Sequence, residues 1–235
     1  MNTNRSLDVA RLGVVQYETA LALQTVMLAA RIEDRIGDTL LLLEHPHVFT
    51  LGRGADERFI VDNGENLPVF RVSRGGQVTY HGPGQLVAYP ILKLEGAARD
   101  VGAYLRNLEQ VVIEALARYG IVSERRKGLT GVWIGKRKIA SIGVGIRRWV
   151  TYHGLAVNVS TDLARFAGIV PCGIEGCEMA SVAGEGHPEL STRDFGDALA
   201  AEFGSVFGYG SLASIENAGL WRLIDTSANM PQARS

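Results

Sequence analysis

Apolar residues along the chain follow two periods, and the periods come in blocks. Over residues 17–35, Leu21, Val26, Leu28 and Ile32 stand among alanines in a helical pattern. Over 99–119, Val101, Leu105, Leu108, Val112, Leu116 and Tyr119 recur at three- and four-residue intervals until Gly120 stops them. A third helix is predicted over 192–207, with Ser191 or Thr192 as its N-cap. Strand-length runs cover 11–15, 39–43, 48–51, 69–73 and 85–92, the last interrupted near Pro90. Three more follow at 131–134, 138–146 and 151–159, the first two joined by a tight Gly135-Lys136-Arg137 turn as in a hairpin. Because strands come in runs rather than in strict alternation with helices, the pattern predicts an α+β or mixed-sheet α/β domain, not a doubly wound parallel sheet.

The 235 residues suit one sizeable core, so one domain over 1–225 is expected, with a polar, proline-containing tail at 226–235. Hydrophobic residues at 46% and charged residues at 21% are ordinary for a globular protein. The 28 glycines are in excess and clustered, which points to tight turns and close backbone approach to a ligand. Two cysteines, Cys172 and Cys177, are too few for a disulfide scaffold and lack metal-type spacing. The first ten residues have no apolar signal core, and no apolar run reaches membrane-spanning length. A reducing cytoplasm is therefore expected.

The formal charge of −1 conceals an asymmetry. Residues 121–150 carry Arg125, Arg126, Lys127, Lys136, Arg137, Lys138, Arg147 and Arg148 against the single acid Glu124, a net +7 that leaves −8 for the rest. The cluster reads either as a solvated face or as a docking surface for an acidic partner. Nucleic acid is disfavoured, because the segment holds only Trp133 and Trp149 as aromatics and the whole chain is not basic.

Four segments carry candidate chemistry. Residues 73–85 (SRGGQVTYHGPGQ) pack four glycines beside an arginine, hydroxyls and His81. Such backbone can aim amides at a ligand, although the segment is neither a P-loop nor a dinucleotide fingerprint. Residues 169–174 (IVPCGI) set Cys172 between Pro171 and Gly173, in a turn that can present a thiol; a small apolar filler is the alternative. Cys177, flanked by Glu178 and close to Glu175, is the weaker candidate. Residues 136–143 (KRKIASIG) put Lys136 and Lys138 on one strand face beside Ala140. A lysine there can serve as a base if other cations and apolar walls disfavour its ammonium form; a solvated hairpin tip is the alternative. Residues 152–159 (YHGLAVNV) form a strand in which Gly154 marks a bulge or a close approach.

Together the order and wording of these segments resemble the lipoyl(octanoyl) transferases of lipoate biosynthesis. The matching pieces are Arg74 to His81 with Gly82 to Gln85, Gly131 to Ile134, Lys138 to Gly143, His153 to Ala156 and Ile169 to Ile174, with Glu44 to Arg53 as an early motif. The resemblance runs over about residues 14–182 and implies the mixed-sheet catalytic domain of the biotin and lipoate protein ligases. It implies that Cys172 carries an octanoyl thioester and that Lys138 lowers the thiol's pKa. It implies a substrate pocket made of Arg74, Gly75, Gly76, Gln77, Val78, Thr79, Tyr80 and His81, with Ser141, Ile142, Gly143, Gly154, Leu155 and Ala156. The implied donor is octanoyl-acyl carrier protein. The implied acceptors are lysines of lipoyl domains, in 2-oxoacid dehydrogenase subunits and the glycine-cleavage H protein. ATP, metal or other cofactor, nucleic acid and membrane are not expected, and a monomer is. An ATP-dependent ligase on the same fold, a silent lipoyl-domain binding module and a thioester hydrolase remain as rivals.

Overall fold

The computed structural model describes residues 5–62, 66–173 and 176–228, without the side chains of Cys172 and of residues 224–228. In chain order the strands are β1 (Ser6–Val14), β2 (Thr39–Glu44), β3 (Val48–Leu51), β4 (Val69–Arg71), β5 (Val78–His81), β6 (Gln85–Ile91), β7 (Glu124–Arg126), β8 (Leu129–Ile134), β9 (Arg137–Arg147), β10 (Val150–Asn158) and β11 (Ser211–Ser214). The helices are α1 (Tyr17–Ile32), α2 (Val101–Ala117), α3 (Thr192–Phe207) and α4 (Asn217–Ala228).

Eight strands form one sheet in the order β11-β1-β2-β6-β10-β9-β8-β7. β1 runs parallel to β11 and β2, and the other pairings are antiparallel, so the sheet is mixed, as its blockwise strand pattern predicts. The apolar run of β2 is buried on both faces, which explains its lack of alternation. Leu40 and Leu42 join Leu86, Ala88, Leu155 and Val157 in a core shared with Leu108 and Val112 of α2 and Phe195 and Leu199 of α3. Leu41 and Leu43 join Val87, Tyr89 and Ala156 on the opposite face, against Leu23 and Met27 of α1 and Leu220 of α4. Each such side chain contributes roughly 1.5–3 kcal/mol by leaving water, and the period of two sends that contribution alternately to the two helical layers.

A second sheet, β4-β3-β5, stands beside the first. Its own core gathers Phe49, Leu51, Val78, Tyr80, Phe166 and Ile169. Pro90 in the interior of β6 is accommodated by a side chain. The Thr151 hydroxyl donates to Pro90 O at 2.7 Å and accepts from Leu92 N at 3.0 Å, so the polar backbone groups beside the proline are satisfied.

Several elements are absent from the periodicity. β5 lies inside the glycine-rich segment, where its Thr and His read as loop chemistry. β7 consists of three charged residues at a sheet edge, where charge guards against stray pairing. β11 is exposed along its length and, among the described residues, pairs only with β1. α2 is two residues shorter at each end than predicted; Asp100 caps its start by accepting from Ala103 N, and the chain leaves the helix at Arg118, ahead of the left-handed Gly120. α4 follows β11 and ends at Ala228; the remainder of the polar tail, residues 229–235, lies outside the described residues. Among the described residues, no helix is long and apolar enough to cross a membrane.

Candidate active site

The antiparallel β9–β10 pair aligns Ser141 with Ala156 and Gly143 with Gly154. The glycine-rich segment between β4 and β5 folds down onto this pair, and Gly75 N donates to Val144 O at 2.9 Å. A Cβ on Gly143 would lie 2.9 Å from Gly75 O, so only glycine lets the two backbones come this close. The space left between them is a narrow cleft of about 50 Å³, partly open to solvent. Its walls include Arg74, Gly76, Gln77, Val78, Thr79 and His81 from one side. From the other come Ser141, Ile142, Gly143, Gly154, Leu155 and Ala156. Gly75 and Tyr80 of the same segment do not line it. Gly75 acts through its backbone bond, and Tyr80 turns into the small-sheet core with its hydroxyl on His47 Nδ1 at 2.7 Å. Gly154 lies against β6, where a Cβ would sit 2.1 Å from Ala88 O.

Arg74 is 8% exposed and braces the lid. Its guanidinium donates to Gly75 O at 3.0 Å and to both Thr50 O and Thr50 Oγ1 at 2.8 Å, tying the loop to β3. The inner end of the cleft adds Tyr17, Tyr89 and His153. His153 opens the His153 to Ala156 motif, whereas Tyr17 of α1 and Tyr89 of β6 belong to no motif and no local spacing announces them.

That inner end holds three buried histidines. His45 Nδ1 lies 2.7 Å from Val15 O and its Nε2 2.8 Å from the Tyr89 hydroxyl. His81 Nδ1 meets Gln85 Oε1 at 2.7 Å, and Gln85 Nε2 donates to Asn158 Oδ1 at 3.0 Å. His153 takes a left-handed backbone (φ 56°), held by donation of its N–H to Gln24 Oε1 at 2.7 Å. Its Nε2 is a buried atom with no hydrogen-bond partner among the described residues. Burial lowers His45 and His153 to about 4. Burial, with repulsion from His45, lowers His81 to about 3. The three rings are therefore neutral near pH 7.

Lys138 is 2% exposed, whereas Lys136 lies in the β8–β9 turn in solvent. The sequence pattern puts the two on one strand face; the fold separates them. The Lys138 Nζ donates to Thr130 O at 3.1 Å and lies 5.3 Å from the centre of the Trp133 ring. Its stem runs over Gly131, where a Cβ would meet Lys138 Cε and Ala140 O at 2.6 Å. Gly131 also has φ +130°, a conformation open to glycine and costly for other residues.

The backbone around Cys172 forms a 3-10 turn, Pro171–Gly173. The Cys172 side chain and Ile174 lie outside the described residues. A Cβ on Gly173 would touch Phe59 and Gln77, so the turn sits beside the cleft's glycine loop. On the far side of residues 174–175 the chain runs alongside Lys138. Lys138 N donates to Glu178 O, and Ala180 N donates to Lys138 O, both at 2.8 Å. Asn158 Nδ2 donates to Ala180 O at 3.0 Å, linking this segment to the His81–Gln85 pair.

The lipoyl protein ligase A/B catalytic domain matches residues 16–204. An octanoyltransferase of Gloeobacter violaceus is 49% identical over 197 residues, 83% of this chain and 88% of that one. The chain belongs to the octanoyltransferase family. A second octanoyltransferase, from Solibacter usitatus, is 46% identical over 210 residues, 87% of this chain and 94% of that one. The crystal structure of lipoate-protein ligase A bound with ATP superposes with a TM-score of 0.70 at 14% identity, over 98% and 96% of the two chains, and shares the fold. The protein is thus an acyltransferase of lipoate biosynthesis, on the ligase-type mixed sheet expected for it.

Two outcomes follow for this octanoyltransferase. Gly131→Ala should push the Lys138 stem aside in a strained backbone conformation and lower stability by about 1–3 kcal/mol; a urea midpoint equal to the parent's would contradict this packing. The unfolded chain protonates its histidines near pH 6.5, whereas the folded one resists until about pH 4. Between those values the unfolded state binds more protons, so stability should fall as pH drops. The expected loss is on the order of 1 kcal/mol per histidine per pH unit. Urea midpoints at pH 7.5 and pH 5 measure it, and equal midpoints would argue against three buried neutral rings.

Proposed function

We propose that Cys172 is the nucleophile of this octanoyltransferase and that Lys138 takes the thiol proton or pairs with the thiolate. The observation that carries this reading is the course of the Cys172 loop, which leaves the glycine segment at Gly173 and runs beside the buried Lys138 at residues 178–180. A free thiol of pKa about 8.5 is mostly protonated at neutral pH and needs such a partner.

The Cys172 sulfur attacks the carbonyl carbon of an octanoyl thioester on acyl carrier protein. The carrier's thiolate leaves and takes a proton. One thioester replaces another, so the step is nearly neutral in energy and needs no ATP. The amine of a lipoyl-domain lysine then attacks the acyl-cysteine, an amide forms, and the cysteine thiol is released. Lys138 removes the proton from that amine. Arg74, Gly76, Gln77, Val78, Thr79 and His81, facing Ser141 to Gly143 and Gly154 to Ala156, enclose the acyl group, while Gly75 and Tyr80 support that wall from behind. The acceptors are lipoyl domains of 2-oxoacid dehydrogenase subunits and the glycine-cleavage H protein.

Intact mass spectrometry after incubation with octanoyl-acyl carrier protein, without ATP, tests the nucleophile. The parent protein should gain one octanoyl group and Cys172→Ala none; a Cys172→Ala protein that is still acylated would refute the assignment. A requirement for ATP would favour the ligase reading.

The donor's acidic surface has cations to meet. Arg147 and Arg148 are exposed at the β9–β10 hairpin tip, whereas Arg125 and Arg137 are paired with Glu109 and Glu185. Reversing Arg147 and Arg148 to glutamate should slow transfer and flatten its dependence on salt, measured between low and physiological ionic strength. An unchanged salt slope would remove this tip from the docking surface.

A further inference from the structure

Glu109, on α2, is fully buried, although no step of acyl transfer calls for it. Its Oε1 accepts from Gly131 N at 2.9 Å. Its Oε2 is paired with Arg106 at 2.8 Å and Arg125 at 3.2 Å. Gly131 N–H belongs to the same peptide unit as Thr130 C=O, and Thr130 O accepts from Lys138 Nζ at 3.1 Å. One planar peptide is therefore gripped from opposite ends, by a carboxylate at its N–H and an amine at its carbonyl.

We propose that Glu109 is a positioning residue for Lys138, acting through the Thr130–Gly131 peptide. A trans peptide is planar, so fixing its N–H direction fixes its carbonyl direction. The carboxylate also polarises the unit and makes the carbonyl a better acceptor. Gly131 cannot supply this restraint itself. It has no side chain to pack, and its φ of +130° is one that glycine leaves readily. Without Glu109 the peptide loses this restraint, and the amine loses a firmly directed acceptor. The two arginines lie within ion-pair distance of the other carboxylate oxygen, and their own side chains are partly in solvent. This proposal rests on the assignment of Lys138 above.

Two substitutions separate hydrogen bond from charge. Glu109→Asp keeps the carboxylate for Arg106 and Arg125 but withdraws it from Gly131 N. Glu109→Gln keeps an acceptor at Gly131 N but removes the charge. Both are assayed by the rate of Cys172 acylation from octanoyl-acyl carrier protein, followed by intact mass, with folded fraction taken from circular dichroism. Glu109→Asp should acylate about tenfold more slowly at saturating donor, with KM for the donor unchanged. Glu109→Gln should stay within about threefold of the parent. A positioning effect on ~1 Å scales is large enough to be read this way.

Asp equal to the parent, or Gln slower than Asp, overturns the proposal. So does a loss that appears in KM instead of in the saturated rate. Lys138→Met is run alongside. If it acylates at full rate, both this proposal and the role of Lys138 fall. If it is inactive while Glu109→Asp is at full rate, only the present proposal falls.

Discussion

A lysine ammonium taken out of water loses several kcal/mol of hydration, and the fold has to compensate around Lys138. Lys138 keeps 2% of its surface accessible. The compensation is spread over three elements. β8 contributes the Thr130 carbonyl and the face of Trp133, and the segment after the Cys172 turn clasps the Lys138 backbone on both its N–H and its C=O. Gly131 gives the stem its room. The segment that follows the cysteine turn is held to it by these same backbone bonds, and the cleft opens further along β9.

The cleft is a consequence of how two sheets meet. β10 is paired on both sides, with β6 and with β9, so its backbone polar groups are satisfied and its outer surface can face a ligand. The small sheet then brings the glycine segment over Gly143 at backbone contact distance. Arg74 clamps that lid to Thr50, and buried neutral histidines close the inner end. Neutral rings add no charge beside Arg74.

The basic stretch changes character once folded. Read linearly it is eight cations in thirty residues. Folded, Lys138 turns inward, Arg125 and Arg137 are spent on Glu109 and Glu185, and Arg126 lies over the Trp133 ring at 5.0 Å. Lys136 and Arg148 lie just beyond opposite ends of an eleven-residue strand, whose own length is about 33 Å at 3.3 Å per step. What looks like one patch is at least two.

The sequence by itself determined the mixed sheet, the three longer amphipathic helices and the wording of the motifs. These depend on local period and on residue type, which any stretch of chain displays. α3 falls on 192–207 as its pattern and its Ser191 cap require. Tertiary structure alone decided which of two lysines is buried, because Lys136 and Lys138 are equivalent until a turn is drawn between them. It also decided that Tyr80 packs inward while its neighbours Thr79 and His81 face the cleft, and that Tyr17, Tyr89 and His153 meet there. Glu109 is the clearest case. On α2 it is one of several polar positions in an amphipathic helix, and nothing local connects it to Gly131, 22 residues away. Only packing α2 against the sheet brings its carboxylate to that peptide, since a buried charge finds its partners across the fold and not along the chain.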